Sequence, residues 1–291
     1  MFVWFEDSSW TLVRVEGSDR VDFLHRLTTN ELPDKASPLV HNFFLSVNAR
    51  IQAEFWMSAQ SDYLALLTPT GQTEALSESI ERYHFGEKIK VVKTPGRLFV
   101  VAGTQPSVLA PECDQVFAPD PRYGTDCCWC YTESPETFRN FLAENGEPMS
   151  EMEAERRRIS LGRPRYQVDY DDTSLFVEVA QQGDFSETKG CYPGQEIVAR
   201  VLHRGRLNRH MRAFESDTVI PADWELKVDG KSVASVKSTV ATEEGGSIGY
   251  LLVRREYDEA EESLTGTDGK GASYTLTVKE RPGEILTGDD E

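Results

Sequence analysis

The sequence lacks long apolar runs: no stretch approaches about 18 uninterrupted apolar residues, and no basic segment near the start precedes an apolar one. Neither a membrane span nor a secretory signal is predicted. We therefore expect a cytoplasmic protein without a membrane partner. Cysteine is also scarce, with five residues in the whole chain. An odd number without regular spacing favours free thiols over a disulfide framework.

Lysine and arginine are fewer than aspartate and glutamate, 31 against 49, so the net charge is -18 at neutral pH. Such a charge repels phosphates at long range, which disfavours general binding to nucleic acids or anionic membranes. The range 189–212 is the exception, because six cationic side chains there stand against one acid, Glu196. This range predicts a local anion site. A solvated charged face, or an RNA-contacting module over 200–212, is the alternative interpretation.

Hydrophobic periodicity predicts two groups of mixed strands and helices, followed by a β-rich region. The predicted strands are 10–15, 40–47, 51–57 and 63–67 in the first group, and 98–102 and 127–131 in the second. The predicted helices begin after 17–18, at Thr73, at Pro135 and at Ser150, and the second of them is expected to end at Gly86. After Gly205, short strand-like runs separated by Gly, Asp and Pro predict a small antiparallel β-barrel.

These patterns indicate an α+β fold rather than a doubly wound sheet. The predicted domains are a region of two α+β units, interleaved or consecutive, over 1–204, and a C-terminal β-barrel over 205–280. Residues 281–291 are predicted to form a loose acidic tail.

The segment 189–196 carries the strongest chemical signal. Cys191 is flanked by Gly190 and directly precedes a predicted helix that starts near Gln195. A thiol just outside a helix N-terminus, with Lys189 in the same loop, is favoured as a thiolate. We therefore predict that Cys191, assisted by Lys189, is the reactive residue. The alternative is an inert buried cysteine, which is how most free cysteines behave.

The residues Lys-Gly-Cys-Tyr-Pro-Gly-Gln-Glu at 189–196 resemble the K-G-C-[FY]-x-G-Q-E signature of the YgfZ family, which includes mitochondrial iron–sulfur assembly factors. The resemblance implies the fold of the glycine-cleavage T protein, with two ferredoxin-like α+β units and a terminal β-barrel around a central opening that can hold tetrahydrofolate. It also implies a role in supporting iron–sulfur cluster assembly or repair and iron–sulfur-dependent, tRNA-modifying enzymes. The expected partners are folate and iron–sulfur client proteins or their assembly machinery.

The T-protein pattern further implies where the folate would be bound. Glu178, in Phe-Val-Glu, matches the residue that contacts the pterin, and Arg206, after Gly205, matches the one that engages the tail carboxylates. The alternative interpretation makes Glu178 a surface strand residue and Arg206 a solvated arginine. The other residues that the resemblance assigns to the folate site are Gly190, Tyr192, Gly194, Gln195, Glu196 and Arg200.

An aminomethyltransferase of the T-protein type is the competing function. T proteins place a catalytic aspartate in the first domain, but the corresponding stretch 67–72 contains no aspartate. Because aminomethyl transfer needs proton management at the transferred nitrogen, its absence argues against that activity and leaves the enzyme assignment open.

No metal site is predicted. Cys128 and Cys130 would share one face of a strand but have no second pair of ligands at zinc-like spacing, so packing is the expected role. The acids Asp169, Asp171 and Asp172 are expected to form turns.

Overall fold

The computed structural model describes residues 1–34, 39–120, 122–205, 207–228, 231–267 and 271–285. Contacts between Cα atoms divide the chain into two compact units. The first contains 1–150 and 183–195, and the second contains 151–182 and 196–291. Residues 151–182 thus belong with the unit that contains the C-terminal strands, whereas the sequence grouped them with the first domain. The predicted domain boundaries stay predictions.

The described part of the first unit forms two five-stranded sheets. One has the strand order β3-β4-β5-β2-β6. Its elements are β2 (Trp10–Glu16), α1 (Arg20–His25), β3 (Val40–Leu45), β4 (Ile51–Ala59), β5 (Tyr63–Pro69), a 3₁₀ turn (Thr70–Gln72), α2 (Thr73–Tyr83) and β6 (Lys90–Lys93). The apolar positions of α1 and α2 and one face of the sheet form a single buried core. The antiparallel pairing of β3 with β4 and of β4 with β5 confirms the meander predicted from apolar runs separated by polar turns.

The second sheet has the order β10-β1-β7-β9-β8. Its elements are β1 (Phe2–Glu6), β7 (Arg97–Ala102), α3 (Pro106–Leu109), β8 (Gln115–Phe117), β9 (Cys127–Thr132), α4 (Pro135–Asn145) and β10 (Gly146–Pro148). Strand β1, which alternation did not reveal, pairs antiparallel with β7 and parallel with β10. The first strand of the chain therefore completes the second sheet.

The described residues of the second unit include three helices, α5 (Glu151–Ser160), α6 (Phe176–Val179) and α7 (Gln195–Arg204); the first residue of α7 belongs to the first unit. Its six strands form a nearly closed antiparallel barrel in the order β12-β13-β14-β11-β16-β15. They are β11 (Arg209–Ser216), β12 (Glu225–Val228), β13 (Lys231–Ala241), β14 (Ser247–Arg254), β15 (Ser263–Thr267) and β16 (Ser273–Lys279), with a 3₁₀ turn at Arg255–Tyr257. The α+β class, the T-protein-like architecture and the C-terminal barrel are confirmed.

Two expectations about local structure were wrong. Helix α2 ends at Tyr83 rather than at Gly86. Arg281 does not begin a loose tail: it is buried, and its guanidinium donates to the carbonyls of Gly162, Ala180 and Met211 at 2.9–3.2 Å. Asp169 lies in a turn, as expected, where its carboxylate accepts the backbone N–H of Arg165 at 2.7 Å, and it is also buried and pairs with an arginine of α5 at 2.8 Å. Residues 286–291 of the expected tail lie outside the described part of the chain.

Within the described ranges, the structure has no helix long and apolar enough to cross a membrane.

Candidate functional site

Cys191 is the exposed cysteine of this chain, and it precedes the first residue of α7 by four positions. Cys113 is half-buried, and Cys127, Cys128 and Cys130 are buried in the second sheet. The environment of Cys191 therefore differs from that of an inert core thiol. Exposure makes this sulfur accessible to a small reagent or to another macromolecule.

Lys189 has a different environment from the one that the sequence suggested. Its side chain is buried, and its ammonium donates to the backbone carbonyls of His25, Thr28 and Asn30 at 2.7, 2.5 and 2.8 Å. Burial lowers the pKa of this ammonium to about 8. These contacts favour an anchoring role, in which Lys189 fixes the loop to the chain that follows α1, while its predicted catalytic role stays a prediction.

The two glycines of the loop differ in what surrounds them. Gly194 has a φ of +84°, and a Cβ there would lie 2.6 Å from the carbonyl oxygen of Ser46 in the turn between β3 and β4. A side chain at this position would collide with backbone, so the fold itself requires the glycine. A Cβ on Gly190 would meet no atom within 4 Å. Open space beside Gly190, next to the thiol, is compatible with a ligand or partner approaching the backbone there.

The remaining residues of the signature lie in the loop itself or in the first turns of α7. Tyr192 is buried, which raises its pKa to about 12, and its ring lies 5.6 Å from the ammonium of Lys189. The backbone N–H of Gln195 donates to the Tyr192 carbonyl at 3.2 Å and so starts α7. Glu196 and Arg200 are exposed and form an i,i+4 ion pair at 2.9 Å on that helix. A ligand role for Glu196 and Arg200 stays a prediction.

Glu178 lies in the second unit, on the short helix α6, and only 6% of its surface is exposed. The alternative that made it a surface strand residue is wrong. Its carboxylate accepts the backbone N–H of Leu175 at 3.3 Å and lies 3.4–3.5 Å from two guanidinium nitrogens of Arg209. Ordinary N–H···O bonds measure about 2.7–3.2 Å, so all of these contacts are long. A buried carboxylate held in this way keeps acceptor capacity for a ligand.

Arg206, the residue predicted to engage the folate tail, lies outside the described residues. Two other arginines of the basic range are described on β11. The side chain of Arg209 is half exposed beside Glu178, whereas Arg212 is largely buried and pairs with Glu284 and, at 3.8 Å, with Asp258. The basic range therefore includes arginines engaged in ion pairs within its own unit.

A buried group formed by His41, Glu54 and Asp184 lies in the first unit, and the sequence patterns did not predict it. The imidazole of His41 contacts Asp184 at 2.8 Å and Glu54 at 2.9 Å. Asp184 begins the segment that leads to Cys191, so the group connects that segment to β3 and β4. Because the partners are 143 and 13 residues from His41 in sequence, local patterns gave no signal for this contact.

The thiols of the second sheet lie in an apolar environment. Cys128 and Cys130 face the buried core of that sheet, as alternation predicted, and Cys113 packs against the same core. Burial raises the pKa of Cys128 to about 11, and a hydrogen bond to Cys113 together with burial raises that of Cys130. The same hydrogen bond lowers the pKa of Cys113, because it outweighs burial and the nearby charges of Asp114 and Glu112, which raise that pKa.

Within the described residues, no group of three or more His, Cys, Asp or Glu side chains is arranged to hold a metal ion.

Comparison with known proteins gives relatives that extend over most of the chain. A protein of Yersinia enterocolitica named tRNA-modifying protein YgfZ is 24% identical over 88% of each chain. The protein of the same name from Yersinia pseudotuberculosis is 22% identical over 81% of this chain and 79% of its own length. A chloroplastic protein of Arabidopsis thaliana, whose name assigns it provisionally to the transferases, is 22% identical over 82% of this chain. The match spans only 62% of that plant protein. No family model matches the chain.

Among solved structures, the glycine cleavage system aminomethyltransferase T from Bartonella henselae matches with a TM-score of 0.75. The alignment covers 99% of this chain and 88% of the bacterial one at 15% sequence identity. At this identity the likeness concerns the fold.

Proposed function

Because the chain belongs to the YgfZ-type family and has the T-protein fold, we propose that it is a tetrahydrofolate-binding accessory protein for iron–sulfur-dependent tRNA modification. The proposal gives it a cytoplasmic location and, as partners, iron–sulfur client proteins or their assembly machinery. Two sites would carry this function: Glu178 for the folate and the Cys191 loop for the iron–sulfur role.

The single observation that carries the folate proposal is the buried carboxylate of Glu178 with its long contacts. A pterin presents an amino group and a ring N–H along one edge, and a carboxylate oxygen pair can accept both hydrogen bonds. Binding a pterin there would replace contacts of 3.3–3.5 Å by charge-assisted bonds of ordinary length. A carboxylate in this environment therefore fits the donor set of the pterin. Arg206 is retained as the proposed partner of the tail carboxylates.

The proposal for the iron–sulfur role rests on the exposure of Cys191 and on the names of the relatives. An exposed thiol next to a glycine with open space around it can reach a partner protein. The YgfZ relatives are named for tRNA modification, which in our proposal depends on iron–sulfur enzymes that the protein supports.

Calorimetric titration with tetrahydrofolate tests the folate site. Glu178→Ala is expected to weaken binding by about 1.5–3 kcal/mol, which is the usual contribution of hydrogen bonds to a charged group and corresponds to roughly 10–150-fold in Kd. Glu244→Ala is a matched control, because it removes an exposed acid from the same unit. Thermal unfolding of both variants checks that the fold is intact. Equal affinities for the wild type and a folded Glu178→Ala variant would refute the assignment.

A further inference from the structure

The imidazole of His41 connects two carboxylates that come from distant parts of the first unit. His41 is on β3, its Nδ1 lies 2.8 Å from an Asp184 oxygen, and its Nε2 lies 2.9 Å from a Glu54 oxygen on β4. All three side chains are about 5–6% exposed. The ring also stacks on Trp56, with centroids 4.2 Å apart and planes 6° from parallel. This group is therefore fixed in position as well as buried.

The two contacts define the protonation state of the ring. An ionised carboxylate only accepts hydrogen bonds, and a neutral imidazole has one N–H to donate. With Asp184 and Glu54 ionised, bonds from both ring nitrogens to these carboxylates require the imidazolium. Burial alone would lower the pKa of His41, but the attraction of Asp184 and Glu54 outweighs it and raises that pKa above its usual value near 6.5.

The Asp184 side of this group leads directly to the reactive loop. The chain from 183 to 189 lies against the residues that follow α1. The Thr29 hydroxyl donates to the Asp184 carbonyl at 2.8 Å, and the Ser186 N–H donates to the Thr29 carbonyl at 3.0 Å. Lys189, two residues before Cys191, holds the other end of this segment in place, because its ammonium donates hydrogen bonds to three backbone carbonyls. The segment is thus held at its start by His41 and at its end by Lys189.

Several charged groups surround this segment. The described titratable groups that face His41 are Glu54 from β4 and Asp184 from the segment itself. Glu31, in the chain between α1 and β3, accepts a hydrogen bond from Ser186 and lies 3.8 Å from His25. Burial lowers the pKa of the Lys189 ammonium to about 8, so Lys189 also changes charge in this pH range. A test of His41 must therefore separate its titration from that of Lys189.

We propose that His41 is a positioning residue: as an imidazolium it joins the start of the 183–191 segment, which leads to the Cys191 loop, to β3 and β4, and its deprotonation weakens that attachment. On losing a proton, the ring keeps a single N–H and can bind only one of the two carboxylates. The inference concerns the attachment of the segment and does not depend on folate binding at Glu178.

The sign of the pH dependence follows from the direction of the shift. The pKa of His41 is higher in the folded protein than in the unfolded chain. Its stabilising contribution is therefore complete below about pH 6.5 and is lost as the pH rises through the pKa of the folded state. The hold on the segment is expected to be strong in mildly acidic solution and weak in alkaline solution.

A double-mutant cycle of His41→Gln and Asp184→Asn tests the proposal, with the unfolding equilibrium measured in urea at pH 6 and at pH 9. Lys189 is present in all four proteins, so its titration cancels. The expected coupling between the two side chains is on the order of tenfold in the unfolding constant at pH 6 and falls severalfold at pH 9. A coupling that is the same at both pH values, or absent at pH 6, would overturn the proposal.

Wild-type protein gives a second test if the variants do not fold. Deuterium exchange at the imidazole C2 position, followed by mass spectrometry of the peptide that contains His41, reports the titration of that residue alone. His41 is expected to titrate at a higher pH in the folded protein than in the urea-unfolded chain. Titration at or below the unfolded value would contradict the imidazolium bridge.

Discussion

Iodoacetamide is expected to label Cys191 at least about ten times faster than any other cysteine of the native protein at pH 7 to 8, because it combines accessibility with a place before a helix N-terminus. Cys191 is exposed, while Cys127, Cys128 and Cys130 are buried in the second sheet. A pKa of about 11 leaves only on the order of one Cys128 thiol in a thousand ionised at pH 8. Burial of these thiols and the low ionisation of Cys128 therefore both slow alkylation in that core.

Cys113 provides the more demanding comparison. It is half-buried, and its pKa is lowered by the hydrogen bond from Cys130, so it is expected to rank second. Its sulfur also lies within hydrogen-bonding distance of the carbonyls of Leu109 and Gln115, at 3.4 and 3.5 Å. Quantification of alkylated peptides between pH 6 and pH 9 resolves this order. If Cys191 reacts only after denaturation, or no faster than Cys113, then the loop does not present a reactive thiol.

We expect this protein to have no aminomethyltransferase activity. The stretch 67–72 lacks the aspartate that T proteins use, and its Gln72 is buried with its side-chain oxygen bound to the backbone N–H of Glu54 at 2.9 Å. An amide in a structural hydrogen bond cannot take up and release the proton that transfer requires. The T-protein fold thus supplies the scaffold without a carboxylate at that place.

The assay mixes the protein with aminomethylated carrier protein and tetrahydrofolate and measures methylenetetrahydrofolate. A glycine-cleavage T protein under the same conditions is the positive control, and a reaction without enzyme gives the background. Product formation above that background, in a preparation free of T protein, would support the aminomethyltransferase and remove the main argument for a purely accessory role.

Local patterns predicted much of the fold because alternation marks strands with one buried face, and apolar runs between polar turns mark strands that are buried on both faces. The alternation in β2, the apolar runs in β4 and β5 and the short runs after Gly205 matched elements of the structure closely. Strand β1 was missed because its neighbours in the sheet, β7 and β10, begin 95 and 144 residues after its own start, so its pairing leaves no local trace. Association of distant strands is set by the tertiary core, which periodicity does not describe.

The candidate site was predicted only in part, for a similar reason. The loop at 189–196 was recognised from its residues, and the need for glycine at 194 follows from a clash with Ser46 that only the folded chain reveals. Lys189 was expected to act on the thiol, but in the structure three carbonyls surround its ammonium. The function of a charged side chain depends on which distant groups surround it. The sequence supplied the charge but not those partners.

The measurement that tests the central claim most directly is the level of iron–sulfur-dependent tRNA modifications in cells of the source organism that lack this protein. Modified nucleosides are quantified by mass spectrometry after expression of the wild type, Cys191→Ser or Cys113→Ser, with protein levels matched by immunoblot. Cys113→Ser is the control because it removes a half-buried thiol of the same unit. We predict that the wild type and Cys113→Ser restore the modifications and that Cys191→Ser does not. Full restoration by Cys191→Ser, at equal abundance, would contradict the account.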